Sequence, residues 1–211
     1  MEITYFGHSC FKIQGRDLSV VTDPFDTAKT GYKNIRTTAD VVTISHNHYD
    51  HDCISGISGN PMVFDSPGEY EIKDCDFEGV ASEHGGTEEN KKAGNTIFVF
   101  EIDEIKLCHL GDLGRELTAQ ELEKIDGVDI LFVPVGGTFT VGPEGAAKVI
   151  SQVEPKIAIP MHYKTKDSKI SELQSLDKFL HEMGSEMKPL PRLKIAKKDL
   201  PEEMEIVVLE S

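Results

Sequence analysis

Short apolar runs rich in β-branched residues recur along the chain, with turn signals between them. They lie at residues 3–6, 11–13, 18–22, 41–44, 96–100, 105–110, 130–135, 157–160 and 205–209. Most have the length of buried strands. The pattern predicts a chain dominated by β-strands in its first half.

Helical periodicity is found mainly in the second half. Thr118 and Glu121 are spaced as a capping box at the start of a helix. Gly142-Pro143 places proline where a first helical turn tolerates it, and apolar residues follow at helical spacing. A third helix is predicted from Ser168, with Gly184 as its C-cap. Its apolar stripe consists of Leu173, Leu176, Phe179, Leu180 and Met183.

Strands that come first, followed by strands mixed with helices, fit two β-sheets stacked face to face with helices on the outer faces. A chain of 211 residues is long enough for one sizeable core, so we expect a single domain over 1–211. The loop at residues 84–95 is polar and contains glycine, but it is too short to separate two domains.

The charge balance argues against nucleic acid and anionic membranes as partners. The chain carries 22 basic and 37 acidic residues, a net charge of −15, which repels phosphate backbones and anionic lipid heads. No apolar stretch approaches the ~18 residues needed to span a bilayer. Because the start lacks a basic segment followed by an apolar run, we expect a cytoplasmic protein. The sequence leaves a homo-oligomer open.

The four cysteines are widely spaced and form no C-x-x-C pair. This spacing argues against a zinc ribbon, a redox motif and a disulfide framework.

The segment S-H-N-H-Y-D-H-D-C at residues 45–53 concentrates groups that bind metals. Within it, His46, His48, Asp50 and His51 follow the spacing H-x-H-x-D-H, directly after the predicted strand at 41–44. In a non-helical segment, residues two apart can point the same way, so His46 and His48 can share one target. Asp50 and His51 can face a second one nearby. Imidazole nitrogens and carboxylate oxygens are common zinc ligands.

One loop cannot complete two coordination shells, so further ligands must come from elsewhere in the chain. His84 lies in the glycine-containing loop, while Asp112 and His162 each follow a predicted strand. With the four residues of the first motif, they make seven ligand-type side chains at strand ends, where a rigid scaffold presents functional groups.

The order of these residues resembles the metallo-β-lactamase superfamily. The resemblance narrows to a branch of small metal-dependent hydrolases similar to L-ascorbate-6-phosphate lactonases. It rests on G-H-S-C-F at 7–11, D-P-F at 23–25, P-G-E-Y at 67–70, H-L-G-D-L-G at 109–114, P-V-G-G-T-F-T at 134–140 and P-M-H-Y-K at 160–164.

The resemblance implies a four-layer αββα sandwich with two mixed β-sheets and a site for two metal ions. It assigns His46, His48 and His84 to the first ion. Asp50, His51 and His162 are assigned to the second ion, and Asp112 bridges both. Zinc is the first expectation for these ligands, with manganese or iron as alternatives. A metal-bound hydroxide would then attack a carbonyl or phosphoryl centre. Asp50 is given a second, catalytic role, which is to orient the nucleophile or accept its proton.

Three further residues are candidates for roles beside the ligands. His8 is expected either to line the pocket or to be a satisfied histidine at its edge. Asp23 either orients a ligand imidazole or starts a turn with Pro24. His109 is expected behind the ligands or in the core.

Cys53 lies two positions beyond His51 and could approach a metal. Cys53 is interpreted as a small buried thiol rather than a ligand. His181 is interpreted as a surface residue.

The leading hypothesis is a binuclear hydrolase that cleaves a small, anionic ester, lactone or phosphoester. A nucleic-acid-processing hydrolase of the same superfamily is an alternative that the acidic balance and the short chain disfavour. Two other branches of the superfamily resemble this sequence less. Diiron redox proteins have an acid at the position of His48, and glyoxalase-type thioesterases have a C-terminal helical substrate domain. The remaining alternative is a metal-binding protein without enzymatic activity.

Overall fold

Fifteen short strands account for most of the regular structure in the computed structural model, which describes residues 1–88 and 94–211. The middle of the predicted loop at 84–95, residues 89–93, lies outside the described residues.

The first sheet places the strands β14-β1-β2-β3-β5-β7 side by side. Their bounds are Glu2–Gly7 (β1), Cys10–Gln14 (β2), Ser19–Thr22 (β3), Val41–Thr43 (β5), Met62–Phe64 (β7) and Leu193–Lys194 (β14). The pairs from β14 to β3 are antiparallel, and β3, β5 and β7 run parallel. This sheet is therefore mixed, and β5 leads directly into the first histidine motif.

The second sheet has the order β15-β13-β12-β11-β10-β9-β8. Its strands are Gly68–Ile72 (β8), Cys75–Ser82 (β9), Asn95–Ile102 (β10), Ile105–His109 (β11), Ile130–Pro134 (β12), Ile157–Met161 (β13) and Glu205–Ile206 (β15). The strands from β8 to β11 are antiparallel, whereas β11, β12, β13 and β15 are parallel. A separate parallel pair joins Thr37–Thr38 (β4) to Ile57–Ser58 (β6). Both main sheets are mixed, as predicted.

The main core lies between the two sheets. Phe11 on β2 contacts Phe132 on β12 with ring centroids 4.5 Å apart, and both rings are fully buried. Burying one such side chain contributes about 1.5–3 kcal/mol. One apolar cluster includes residues of both sheets, which agrees with the single-domain prediction without testing it.

Two of the three predicted helices form where the sequence places them. Helix α2, Ala119–Lys124, begins with the predicted capping box: Glu121 N donates to Thr118 Oγ1 at 3.3 Å, and Thr118 N donates to the Glu121 carboxylate at 2.7 Å. Helix α3, Pro143–Val153, has Pro143 in its first turn.

The third predicted helix begins later than its apolar stripe indicates. Helix α4 covers only Leu176–Glu182. Before it, the backbone is bonded to distant residues: Gln174 N donates to Gly136 O, and Lys169 N donates to Thr30 O, both at 2.8 Å. Leu173 is buried nevertheless. The buried Leu173 side chain therefore anchors the loop before α4. Residues 169–172 of this loop border the candidate site.

The outer face of the first sheet is covered by a short segment with one helical turn. This turn, α1, spans Thr27–Thr30 and is capped by Asp26. Phe25, Tyr32 and Ile35 of the same segment form a second apolar cluster with outward-facing residues of β3 and β5. The αββα arrangement is thus present, with an outer layer on this side that is mostly irregular. Two 3₁₀ turns, Ile54–Gly56 and Lys197–Asp199, complete the described elements.

Among the helices of residues 1–88 and 94–211, none combines the length and the apolar character that a transmembrane span requires.

Candidate metal centre

Loops from both sheets bring the seven predicted ligand residues together. Four of these residues lie in the loop after β5 of the first sheet. His84 follows β9, Asp112 follows β11 and His162 follows β13, all in the second sheet. The candidate centre therefore lies where loops of the two sheets meet.

A first group is formed by His46, His48 and His84. A ligand-type atom from each lies within 4.8 Å of the others. The Nε2 atoms of His46 and His84 are 3.2 Å apart, and both residues are buried, while His48 is half-buried.

A second group contains Asp50, His51 and His162, again with ligand-type atoms within 4.8 Å. His8 belongs to the same cluster. Asp112 lies between the two groups: its Oδ2 atom is 3.5 Å from His84 Nε2 and 3.2 Å from His162 Nε2. Its Oδ1 atom is 3.5 Å from His51 Nε2. Asp112 has the position that a bridging ligand would occupy.

Asp23 and Ser45 orient two of the imidazole rings. His51 Nδ1 donates to Asp23 Oδ2 at 2.8 Å. Ser45 donates to Asp23 through both its backbone N (2.8 Å) and its Oγ (2.6 Å). Because the hydroxyl proton of Ser45 is used in this way, its oxygen accepts from His46 Nδ1 at 2.9 Å. Of the two roles predicted for Asp23, these contacts favour the orientation of a ligand imidazole over the start of a turn.

These hydrogen bonds determine where the ring protons lie and provide a test of metal fit. His84 Nδ1 donates to the carbonyl of Gly85 at 2.6 Å, so the Nε2 atoms of neutral His84 and His46 each carry a lone pair. Two lone pairs that face each other at 3.2 Å repel, and a cation between them would turn the repulsion into coordination. We therefore interpret the Nε2 pair as a ligand pair and not as a hydrogen bond.

Buried polar atoms without a partner support the same interpretation. Among the described residues, His51 Nε2, Asp112 Oδ1 and His162 Nε2 are buried and have no hydrogen-bond partner. All three point toward the space between the two groups. Such atoms are costly in a protein interior unless something satisfies them. The donor set fits divalent metal cations.

Burial and neighbouring charges shift the pKa values of these groups in the metal-free protein. Burial, reinforced by nearby His51, lowers the pKa of His46 to about 2. Burial disfavours the charged form of His51 too, but the carboxylates of Asp112 and Asp50 and the bond to Asp23 outweigh it and raise its pKa to about 10. Burial alone would raise the pKa of Asp112, yet the surrounding histidines hold it well below its usual value. The centre therefore retains both carboxylate charge and neutral imidazole at neutral pH.

Local backbone features fix two of the ligand residues. Asp112 N donates to Asn95 Oδ1 at 2.9 Å, which ties the Asp112 loop to β10. His162 has a left-handed backbone with φ of 54°. A Cβ on Gly136 would lie 1.9 Å from the His162 carbonyl oxygen, so only glycine permits this approach.

The remaining predicted residues have clear positions. His8 is fully buried, and its Nε2 is 3.0 Å from Asp50 Oδ2, so it contacts the candidate ligands. His109 is buried behind them, donates from Nε2 to Ser9 O at 2.9 Å and has its Nδ1 4.0 Å from Asp23 Oδ2.

Neither Cys53 nor His181 belongs to the metal groups formed by the described residues. Cys53 is only half-buried, so the prediction of a buried thiol is wrong. Its Sγ lies 3.4 Å from Ser55 Oγ. His181 is exposed, as predicted.

Sequence reasoning missed Ser45 and Asn95, which position ligand residues without binding metal themselves. Ser45 directly precedes His46, and this adjacency was the one available signal. Asn95 lies seventeen positions before Asp112 in the chain, so only the folded structure reveals its role.

A cavity of 430 Å³ opens onto the two groups. This volume is in the range of small-molecule sites, ~300–1,000 Å³. Beyond four of the candidate ligands, its wall contains Lys29, Tyr49, Phe139, Lys169, Ile170, Ser171 and Glu172. A larger cavity of 870 Å³ lies along β8 to β11, but none of its lining residues is a histidine. We assign the chemistry to the smaller cavity for that reason.

Comparisons with known proteins agree with this geometry. Residues 2–162 match the model of a family described as a beta-lactamase superfamily domain. A UPF0173 metal-dependent hydrolase of Thermoplasma volcanium is 30% identical over 194 residues, which cover 79% of this chain and 85% of that protein. A second one, from Carboxydothermus hydrogenoformans, is 32% identical over 196 residues, with 78% and 85% covered.

A solved structure is similar over nearly the whole chain. It is a candidate Zn-dependent hydrolase of the metallo-β-lactamase superfamily from Thermotoga maritima, with a TM-score of 0.82 and 40% identity. The match covers 99% of this chain and 97% of that one. Together with the two sheets and the clustered histidines, these matches show that the chain belongs to the metallo-β-lactamase superfamily, among its metal-dependent hydrolases.

Proposed function

We propose that this metal-dependent hydrolase binds two divalent ions and cleaves a small, anionic ester, lactone or phosphoester. The observation that carries the proposal is the pair of facing Nε2 atoms of His46 and His84, 3.2 Å apart with both Nδ1 protons engaged elsewhere. A second set of nitrogen and oxygen atoms surrounds the other side of Asp112.

We assign each residue to an ion according to its position. His46, His48 and His84 would hold the first ion, Asp50, His51 and His162 the second, and Asp112 both. Bound divalent ions would lower the pKa of a water molecule toward neutrality and stabilise the charge that develops on the substrate. Zinc suits these ligands, and manganese or iron accept the same set.

Asp50 is the residue best placed to accept a proton. Its side chain is 15% exposed and lines the cavity, unlike the fully buried Asp23. The charge of His51 and the bond from His8 outweigh burial and hold the pKa of Asp50 below its usual value, so it is a carboxylate at neutral pH. A carboxylate within reach of the substrate can orient the attacking water or take its proton.

Two lysines support an anionic substrate. Lys29 and Lys169 line the cavity, and Lys169 Nζ donates to Ala28 O at 2.8 Å, which joins the loop of Lys169 to the helical turn α1 that carries Lys29. In a chain with a net charge of −15, a pair of cations beside the candidate centre favours an anion there. Glu172 on the same wall limits how many negative charges the cavity accepts.

Metal content per chain tests the proposal. We expect about two ions in the wild type, one fewer in His48→Ala and a loss at both sites in Asp112→Ala, with His181→Ala unchanged. The metal-loaded wild type should then hydrolyse at least one member of a panel of esters, lactones and phosphoesters. One ion or none, unaffected by these substitutions, would exclude the two-ion centre. Two ions without turnover of the panel would favour a metal-binding protein that is not an enzyme.

The lysines are tested separately with the substrate found in that panel. Replacing both Lys29 and Lys169 with Met should raise KM for the anionic substrate about fivefold, the equivalent of ~1 kcal/mol for exposed charges. The kcat should change little. Lys178→Met, on an exposed face of α4, is the matched control. An equal effect in the control would remove the lysines from substrate binding.

A further inference from the structure

His8 contacts the candidate centre without belonging to the seven-residue ligand set. Its Nε2 atom is 3.0 Å from Asp50 Oδ2, and its ring centroid is 4.2 Å from that of His162. Among the described residues, this is the one hydrogen bond recorded for the Asp50 carboxylate. The next nitrogen, His51 Nε2, is 3.8 Å from the same oxygen.

The chemistry of this contact determines which atom carries the proton. An ionised carboxylate only accepts hydrogen bonds, so a 3.0 Å contact requires a proton on His8 Nε2. A protonated ring nitrogen has no lone pair to offer a metal. Through Nε2, the atom that faces the centre, His8 is therefore a donor to Asp50 in the metal-free protein.

The fold holds His8 rigidly in a strained conformation. Its backbone is left-handed, with φ of 56°, a conformation that few non-glycine residues adopt and that costs free energy. The His8 carbonyl accepts two bonds of 2.7 Å, from Tyr5 Oη and from His162 N. The turn between β1 and β2 is thus joined directly to the ligand-bearing end of β13.

Asp50, in contrast, lies on a loop whose neighbours are open to solvent. Tyr49 is 44% exposed and Asn47 is also exposed. The hydrogen bond from buried His8 gives the Asp50 carboxylate, which is itself 15% exposed, a defined orientation within this loop. The partner of a metal-binding carboxylate typically has this role.

We infer that His8 is a positioning residue, which holds the Asp50 carboxylate in the orientation that the second ion and the substrate require. The inference rests on the proposed two-ion function and adds a role that the seven ligands do not include. It also predicts that His8 acts only through Asp50.

The test compares two replacements of His8 in the full-length protein. His8→Gln keeps a donor at about the position of Nε2, and His8→Leu removes it, while both keep a non-glycine residue at the same backbone angle. Zn²⁺ affinity is measured by competition with a chromophoric chelator, and circular dichroism and thermal unfolding confirm that each variant folds. Both replacements are repeated in an Asp50→Ala background.

We expect His8→Leu to weaken one of the two Zn²⁺ sites by about 10- to 100-fold, the effect typical of lost hydrogen-bond partners of ligands. His8→Gln should restore the affinity to within a few-fold of wild type. In the Asp50→Ala background, His8→Leu should change nothing further, because the residue through which it acts is gone.

Three results would overturn the inference. If His8→Gln is as damaging as His8→Leu, His8 binds the metal itself. If His8→Leu weakens binding equally with and without Asp50, it does not act through Asp50. If His8→Leu leaves both sites unchanged in a wild type that binds two ions, only the inference fails. A wild type that binds fewer than two ions would instead refute the proposed function, and the inference with it.

Discussion

At the scale of single residues, one buried carboxylate organises the candidate centre. Asp23 is fully buried and accepts from His51 Nδ1, from Ser45 N and from Ser45 Oγ. Through Ser45 it also fixes the proton on His46 Nδ1. Asp23 thereby directs the Nε2 atoms of two candidate ligands, one in each group, toward the cations they would bind.

Asp23→Asn tests this organisation. Asparagine offers one acceptor oxygen in place of two, so at least one of the three donors would face its NH₂ group. We expect the affinity of the centre for Zn²⁺ to fall about 10- to 100-fold, because the bonds by which Asp23 orients His51 directly and His46 through Ser45 can no longer all form. Asp26→Asn is the matched control, since asparagine caps a helix as well as aspartate does. Equal affinity in the two variants would contradict the prediction.

The raised pKa of His51 predicts that metal binding expels a proton. With a pKa of about 10, His51 is protonated at neutral pH in the metal-free protein, and it must lose that proton to bind. Affinity at the second group should therefore rise about tenfold per pH unit from pH 6.5 to 8.5. We expect this slope in His48→Ala, which retains the second group, by Zn²⁺ titration at several pH values. A flat profile would mean that His51 is neutral or does not bind.

At the scale of elements, glycines allow the ligand-bearing loops to approach the sheets. Gly111 has φ of 55°, and a Cβ there would lie 2.5 Å from Ser45 Cβ and 2.3 Å from Asn95 Oδ1. These neighbours are the residues that orient His46 and Asp112. One small residue thus lets the loops after β5 and β11 meet.

Gly111→Ala should therefore do more than strain the backbone. Gly127→Ala is the matched control, because its φ is 72° and nothing lies within 4 Å of the added Cβ. Both variants strain a left-handed residue, but only Gly111→Ala also overpacks the site. We expect it to lower the free energy of unfolding by about 1–3 kcal/mol more than the control. It should also weaken Zn²⁺ binding. Chemical unfolding measures the loss of stability, and metal titration measures the loss of affinity. Similar losses in both variants would show that the close contact does not matter.

Hydrophobic runs predicted the buried strands well, because strands covered on both faces read as continuous apolar segments. They missed the hairpin of β8 and β9, whose burial alternates along the strands. Its turn, Lys73-Asp74, has φ of 50° and 59° without a glycine, so the usual turn signal was absent. The apolar residues from Leu173 are spaced as in a helix, but the first of them lies in a loop. Hydrogen bonds to residues distant in sequence hold this loop, and the spacing does not reveal them.

The candidate ligands were predictable because metal chemistry restricts them to a few residue types at strand ends. All seven are brought within two small groups that share Asp112. The residues that position these candidate ligands were less predictable. Ser45, Asn95 and Gly136 act through geometry between segments distant in sequence, for which a single chain carries little signal.

At the scale of the whole molecule, the proposed centre joins two sheets that already share a core. The first sheet supplies four ligands from one loop, and the second supplies His84, Asp112 and His162. Because one apolar cluster includes residues of both sheets, the metal-free protein should remain folded, unlike a zinc finger. Metal should raise its stability rather than create its fold.

Chelation should therefore lower the melting temperature without unfolding the protein at room temperature. At a free Zn²⁺ concentration about 100 times Kd, each ion contributes ~2.7 kcal/mol. For a domain of this size, that corresponds to roughly 5–10 °C per ion. Differential scanning calorimetry with and without Zn²⁺ measures the shift, which should nearly vanish in Asp112→Ala and persist in His181→Ala. A shift that survives in Asp112→Ala would mean that Zn²⁺ stabilises the protein elsewhere, since the Asp112 carboxylate lies within 4 Å of histidines of both groups.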